Sequence, residues 1–306
     1  MSDNRFIHEA IDTSAETAQD RAKLTELVAA ASNAAAPATA SEDSPSDGSI
    51  LNFALNLEYL EAEFYLRAST GQGLPDELIG GTGRPGDVSG GRQVEFRSPL
   101  VKNIAREIAM DESAHVAFLR GALGSAAVAR PRISLDQSFT AAATAAGLIN
   151  PGEIFDAYAS DRNFLFAAFL FEDVGVTAFK GAAPLISNKT YLDAAAGLLA
   201  TEAYHAGIVR ATLFSEGLAD EAVFDAVQKI SVVRNAVSGP ADDDQGLGTR
   251  DRANLVPTDD FGRVFGRSAA EILNIVYLDP HAESAGGFYP DGLNGEIVRG
   301  TGASQS

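Results

Sequence analysis

Apolar residues recur at helical spacing in four long segments of the chain. In the first segment Leu51, Leu55, Ala62 and Tyr65 fall on one face, and no glycine or proline interrupts the pattern. The segments run from Ser49 to Arg67, from a Ser98-Pro99 cap to Gly121 or Gly124, from about Asp161 to Gly181, and from an Asn188 cap to Glu216. The pattern therefore predicts four long helices, and we expect Gly217 to stop the last one.

The connections between these helices differ in composition. Residues 71–91 are crowded with glycine and are predicted to form a loop. Residues 124–160 form a longer connection, which can cross the bundle from end to end and is predicted to hold a short helix around Thr140 to Ala146. Four long helices with a long crossover between the second and the third are typical of the ferritin-like variant of the four-helix bundle. The predicted fold class is therefore all-α.

Two further helices are predicted after the fourth. The segment from Glu221 to Val237 is amphipathic, and Ser268 with Glu271 forms a capping box for a short helix that ends near Leu278. The predicted organisation is a flexible segment (1–48), a four-helix bundle with an extra helix (49–237), and an extension with a short helix and a coil tail (238–306).

Two Glu-x-x-His pairs stand in the second and fourth predicted helices. They are Glu112 with His115, and Glu202 with His205. Residues three apart project from the same side of a helix, so each pair can present a carboxylate and an imidazole to one point. The surrounding stripes are apolar and include Phe118 in the second helix and Ile208 in the fourth. Both pairs are therefore predicted to face the core.

Each of the other two long helices places an acid in an apolar stripe, Glu58 in the first and Glu172 in the third. Burying an ionised carboxylate is costly unless a cation pairs with it. Four carboxylates balance the charge of two divalent ions, and two neutral imidazoles complete a ligand set that suits iron or manganese. The sequence therefore predicts a site with six ligands for two metal ions, which we expect to be iron.

Other polar residues in the first helix have alternative interpretations. Glu61 competes with Glu58 as the ligand, because the two are displaced by only about 60° around the helix; Glu58 is preferred. Glu63 is expected on a solvated face with Asn56 and Arg67. Tyr65 is either a packed core residue or a group that donates a hydrogen bond or an electron to the metals.

The remaining acidic and histidine residues are less informative. Asp111 and Asp173 stand beside predicted ligands, and each is either a partner that orients an imidazole or an exposed helix residue. His8 and His281 are assigned no role. The run from Asp242 to Asp244 is interpreted as a solvated loop, with calcium binding as the alternative.

The net charge of −19 opposes binding to nucleic acid and to anionic lipid. The absence of cysteine excludes disulfides, thiolate zinc sites and iron–sulfur clusters. The longest apolar run, Phe164 to Phe171, is too short to span a bilayer. The N-terminus has no recognisable export signal, so a cytoplasmic location is expected, although the Ala-rich stretch at 27–40 leaves a periplasmic location open.

Several motifs resemble the desiccation-related branch of the ferritin-like superfamily over about residues 49–300. They are ILNFALNLEYLEAEFYLRA, AMDESAHVAFLRGAL, FLFEDVGVTAF, SAAEILNIVYLDP and GGFYPDGLNG. The metal motifs are also similar to those of bacterioferritin and rubrerythrin. The resemblance implies that Glu58 takes the ligand position of the first helix, that Tyr65 is the nearby tyrosine, and that the chain is a bacterial member with an intact two-metal site.

The leading functional hypothesis is a di-iron oxidoreductase that acts on O₂, H₂O₂ or Fe²⁺ in oxidative or desiccation stress. Glu112 and Glu202 would bridge the metals, Glu58 and Glu172 would be terminal ligands, and Tyr65 would assist the reaction. A manganese catalase is the alternative enzyme. The alternative from another class is a non-catalytic protectant, and a homo-oligomer is compatible with either function.

Overall fold

The computed structural model describes residues 45–241, 243–281 and 284–300, and this part of the chain contains seven α-helices. The helices are α1 (Asp47–Thr70), α2 (Pro99–Leu123), α3 (Gln137–Ala145), α4 (Asp161–Ala182), α5 (Lys189–Ala219), α6 (Ala222–Ser238) and α7 (Ala269–Tyr277). Two small sheets join loops: β1 (Val88–Ser89) is parallel to β2 (Ile133–Ser134), and β3 (Gly248–Thr249) is antiparallel to β4 (Arg252–Ala253). The predicted all-α fold is confirmed.

The helix starts follow from their caps. The Ser98 side chain accepts a hydrogen bond from the backbone N–H of Val101, with proline in the first position of α2. Asn188 caps α5 in the same manner, and the predicted capping box of α7 is formed. Helix α1 begins at Asp47, two residues before the predicted start, and Ser46 is its cap.

Gly217 does not stop α5, and that prediction is wrong. The helix continues through Gly217 to Ala219. A Cβ atom at Gly217 would lie 2.7 Å from the ring of Phe224 on α6. The glycine is explained by the close approach of α6 rather than by the end of the helix.

The four long helices pack as two pairs. Helix α1 packs against α2, and α4 packs against α5; the pairs then meet through α1 with α4 and α2 with α5. The connection that contains α3 runs between the pairs, and Phe139 on α3 packs against Phe64 and Phe171. The core therefore continues from the bundle into the crossover.

The segment after α7 and the crossover between α2 and α4 both contact α1, which is buried along most of its length. The Tyr289 hydroxyl donates to the carbonyl of Asn56 (2.7 Å), and the Asn56 side chain donates to the carbonyl of Asn294 (2.8 Å). The predicted solvated face of α1 is therefore wrong. Glu63 is fully buried, where it accepts a hydrogen bond from Arg67 (2.9 Å) and pairs with Arg130 from the crossover.

The acidic run after α6 is also mostly buried, which contradicts the predicted solvated loop. Asp244 pairs with Arg234 (2.6 Å) and Arg267 (2.9 Å), and Asp243 also contacts Arg267 (3.2 Å). Asp242 lies outside the described residues. These pairs join the extension to α6, so the acids neutralise buried arginines rather than a calcium ion.

His281 lies on the exposed surface after α7, and the structure gives it no partner in the bundle core. His8 and the rest of the predicted flexible segment up to residue 44 lie outside the described residues. Among the helices that are described, none is both long and apolar enough to cross a membrane.

Candidate metal centre

The six predicted ligands come from all four long helices and are buried. Glu58 is on α1 and Glu172 on α4, while α2 and α5 each contribute a Glu-x-x-His pair. The four glutamates are at most 1% exposed, His115 is 7% exposed and His205 is 3% exposed. Both histidines therefore project inwards, as the spacing of three predicts.

The structure brings these side chains together in two groups that could each hold one metal ion. The first group is Glu58, Glu112, His115 and Glu202, and the second is Glu112, Glu172 and His205. Within each group the potential ligand atoms all lie within 4.8 Å of one another. Glu112 belongs to both groups, so its carboxylate lies between the two positions.

The first group is arranged around the Nδ1 atom of His115. This atom lies 3.1 Å from Glu58 Oε2, 3.4 Å from Glu112 Oε2 and 3.6 Å from Glu202 Oε1. In the second group, Nδ1 of His205 lies 3.0 Å from Glu112 Oε1. The two Nδ1 atoms thus approach opposite oxygens of the same carboxylate.

Many lone pairs in the site have no hydrogen-bond donor. The buried atoms without one are Glu58 Oε1, both oxygens of Glu112, Glu172 Oε2, both oxygens of Glu202, and Nδ1 of His205. No lysine or arginine of the described chain forms an ion pair with any of the four glutamates. Buried acceptors are normally hydrogen-bonded, and buried charges are normally paired. Two divalent ions would satisfy both requirements, so the residues present fit such a centre.

The pKa values of the metal-free chain reflect the same crowding. Burial and repulsion by Glu112 raise the pKa of Glu58 to about 8, and burial, opposed by His205, raises that of Glu172 to about 8. Burial also disfavours ionised Glu112, but its contacts with both histidines dominate and lower its pKa to about 2. Burial disfavours the imidazolium forms, yet the carboxylates raise the pKa of His115 to about 11 and of His205 to about 9. Protons therefore balance the carboxylates when cations do not.

Two polar residues, Asp111 and Tyr65, contact predicted ligands. Asp111 Oδ2 lies 3.1 Å from Nε2 of His205, so a proton on Nε2 leaves the Nδ1 lone pair turned towards the site. The Tyr65 hydroxyl donates to Oε1 of Glu172, and the Tyr65 ring is fully buried. Asp111 thus has the contact expected of an orienting partner, and Tyr65 is both a core residue and a hydrogen-bond donor to a predicted ligand.

Asp173 is neither a partner that orients an imidazole nor an exposed helix residue, which were the two alternatives predicted for it. It is buried, and its Oδ2 atom accepts hydrogen bonds from Arg210 and Arg234, each at 2.7 Å. The sequence contained no local signal for this contact, because Arg234 comes from α6. Phe118 and Ile208 were expected in the core, but they are 49% and 39% exposed. Both lie at the outer edge of the buried stripe of their helix.

A glycine of α4 makes room for the carboxylates, and sequence reasoning missed it. A Cβ atom at Gly175 would overlap Oε2 of Glu202, and it would lie 3.1 Å from Cδ of Glu202 and 3.4 Å from Oε1 of Glu61. Glu61 is 5% exposed, so the competitor of Glu58 is also buried beside the centre. The spacing of Glu172 and Gly175, three apart on the same helix, is the signal that could have identified this position.

Comparison with known proteins identifies the family of this chain. Residues 46–215 match the family model described as Ferritin-like domain. The desiccation-related protein PCC13-62 of Craterostigma plantagineum is 36% identical over 213 residues, which is 66% of each chain and so just under two thirds of that protein. The ferritin-like catalase Nec2 of Nesocodon mauritianus is 28% identical over 270 residues, which is 83% of this chain and 85% of Nec2.

No solved structure matches the chain significantly. The matched range contains α1, α2 and α4 and reaches Ser215 in α5, so it includes all six predicted ligands. The chain belongs to the ferritin-like superfamily, in its desiccation-related branch.

Proposed function

We propose that this protein is a di-metal carboxylate oxidoreductase that breaks down hydrogen peroxide, with two iron ions, or alternatively two manganese ions, as its cofactor. The observation that carries the proposal is the position of Glu112, which belongs to both groups of potential ligands in a buried site where no lysine or arginine of the described chain pairs with the glutamates. Peroxide is favoured over O₂ and Fe²⁺ as the substrate because a relative similar over 83% of the chain is named a ferritin-like catalase.

The proposed ligand roles follow from the contacts. Glu112 would bridge the metals, with Glu58 and His115 on one side and Glu172 and His205 on the other. Glu202 belongs to the first group, and we propose it as the second bridge because both of its oxygens are buried and neither is engaged in a hydrogen bond. Two such ions, when bound, would supply the redox chemistry that the cleavage of an O–O bond requires.

The remaining residues would support this chemistry without contacting the metals. Asp111 would hold His205 in the tautomer that presents Nδ1. The hydrogen bond from Tyr65 to Glu172 keeps a proton next to a ligand carboxylate. The aromatic rings of Phe64 and Phe164 pack around Tyr65 and exclude bulk water from that side of the site.

The test is metal analysis combined with a peroxide assay. Protein purified after growth with iron and with manganese should contain two ions per chain and should consume H₂O₂ with release of O₂. Glu112→Gln should lose both properties, whereas Glu107→Gln, an exposed residue of the same helix, should keep them.

The possible results separate the candidate functions. Oxidation of Fe²⁺ without catalytic peroxide consumption would replace the proposal by a ferroxidase. A folded protein that binds neither metal would favour the structural protectant.

A further inference from the structure

A fifth buried glutamate lies beside the candidate centre and has no evident use in a site with two divalent ions. Glu61 is on α1, one turn after Glu58, and is 5% exposed. Among the described residues, no hydrogen bond or ion pair involves its carboxylate. Glu63, two positions further on, is also buried but is paired with Arg67 and Arg130. Within the described chain, arginines therefore pair with Glu63, and no lysine or arginine pairs with Glu61.

The carboxylate of Glu61 lies next to a predicted ligand. Oε1 of Glu61 and Oε2 of Glu202 both lie against Gly175, where a side chain would overlap the latter oxygen. Glu61 also borders a small cavity of about 20 Å³, whose lining is otherwise apolar and includes Leu170 and Phe288. A cavity of this size holds about one water molecule and no counter-ion. Among the described residues no lysine or arginine pairs with Glu61, so the ions of the proposed centre would supply compensating charge beside it.

The number of charges decides what Glu61 could do there. Four ligand carboxylates already balance two divalent ions, so a fifth anion in the core would be uncompensated and costly. Two trivalent ions leave an excess of positive charge over four carboxylates, and a fifth carboxylate reduces it. An additional anion at this position therefore favours the more highly charged ions.

We propose that Glu61 is a fifth carboxylate of the centre, which shifts its preference from divalent towards trivalent ions. This inference rests on the proposed metal centre and adds to it a residue that determines which ionic charge binds better. In a redox cycle, such a residue would stabilise the oxidised metals relative to the reduced ones. Glu58 and Glu202 remain ligands of both forms.

The test compares two ions that do not change oxidation state under the conditions used. Metal-depleted full-length protein is titrated with Mn²⁺ and with Ga³⁺, delivered as its nitrilotriacetate complex, and binding is measured by calorimetry. Glu61→Gln has nearly the same shape and no charge. We expect it to weaken Ga³⁺ binding by about tenfold or more, as for other residues that support ligands, and to leave Mn²⁺ binding unchanged or tighter.

Three control variants make the result specific. Glu61→Asp keeps the charge and should retain most of the preference for Ga³⁺. Glu58→Gln should weaken binding of both ions, and exposed Glu107→Gln should weaken neither. Thermal melts of the metal-depleted variants show whether each one is folded.

Two outcomes would overturn the inference about Glu61. Equal weakening of Mn²⁺ and Ga³⁺ would make Glu61 an ordinary ligand, and unchanged Ga³⁺ binding would remove it from the centre. Neither result affects the proposed function, which fails only if the wild-type protein binds neither ion or binds metal without consuming peroxide.

Discussion

The space at Gly175 permits a direct test of the site geometry. Replacement by alanine adds a Cβ atom that overlaps Oε2 of Glu202. The carboxylate oxygen must then move by roughly 1.3 Å or more to reach ordinary van der Waals contact. Metal–ligand distances tolerate changes of only about 0.2 Å. Gly175→Ala should therefore remove Glu202 as a ligand while leaving its charge in the protein.

The substitution should affect folding stability and metal affinity in different ways. In the interior of a helix, alanine is more favourable than glycine by about 0.5–1 kcal/mol, and this difference should stabilise the folded metal-free variant. Displacing a ligand should weaken metal binding at least as much as removing a residue that only supports a ligand, which costs about 10–100-fold. The variant should thus fold and bind metal poorly.

Calorimetric titration of Mn²⁺ into metal-depleted protein measures the affinity, and thermal melts measure the stability. Gly197→Ala is the matched control, because Gly197 lies within α5 and a Cβ atom there would meet no neighbour within 4 Å. It should gain stability and keep its metal affinity. If Gly175→Ala binds two metals as tightly as the wild type, Glu202 is not held in the position that we assign to it.

Three other outcomes are expected. Because the pKa values of Glu58 and Glu172 are raised to about 8 in the folded metal-free protein, their protonation contributes stability that is fully present below about pH 4.5 and is lost as pH rises through 8. Its melting temperature should therefore fall over that range, and Mn²⁺ should raise it most at high pH; a metal-induced gain that does not grow with pH would contradict this. Asp111→Ala should weaken metal binding by about 10–100-fold, because His205 loses the partner that orients it, and unchanged affinity in a titration would refute that role. Glu63→Gln should destabilise the fold by about 3–5 kcal/mol in urea unfolding, because it leaves a buried arginine unpaired, but refolded protein should have its full metal content.

The helices and the ligand pairs were predictable because they depend on local rules. Caps such as Ser98 and Asn188 act within three residues, and a spacing of three directs Glu112 and His115 to the same side whatever surrounds them. Such features do not require knowledge of the rest of the fold. The inward direction of both pairs followed from the apolar residues of their own helices.

The incorrect predictions for Glu63 and Asp173 concern residues whose surroundings come from distant parts of the chain. Glu63 was expected to be solvated because it shares a face of the helix with the polar residues Asn56 and Arg67. The crossover covers that side of α1 and supplies Arg130. Asp173 likewise meets Arg234 from a helix that follows much later. Hydrophobic periodicity contains no information on which loop covers a polar face.

The distribution of the ligands over the two helix pairs has a consequence for assembly. Each ligand group takes residues from the α1–α2 pair and from the α4–α5 pair, so neither group exists until the pairs dock. Docking joins residues far apart in sequence, which is the slow type of contact in folding. It also brings the carboxylates together, so protons or metal ions must enter at that stage. The rate at which metal is bound during refolding should therefore report when the two helix pairs meet.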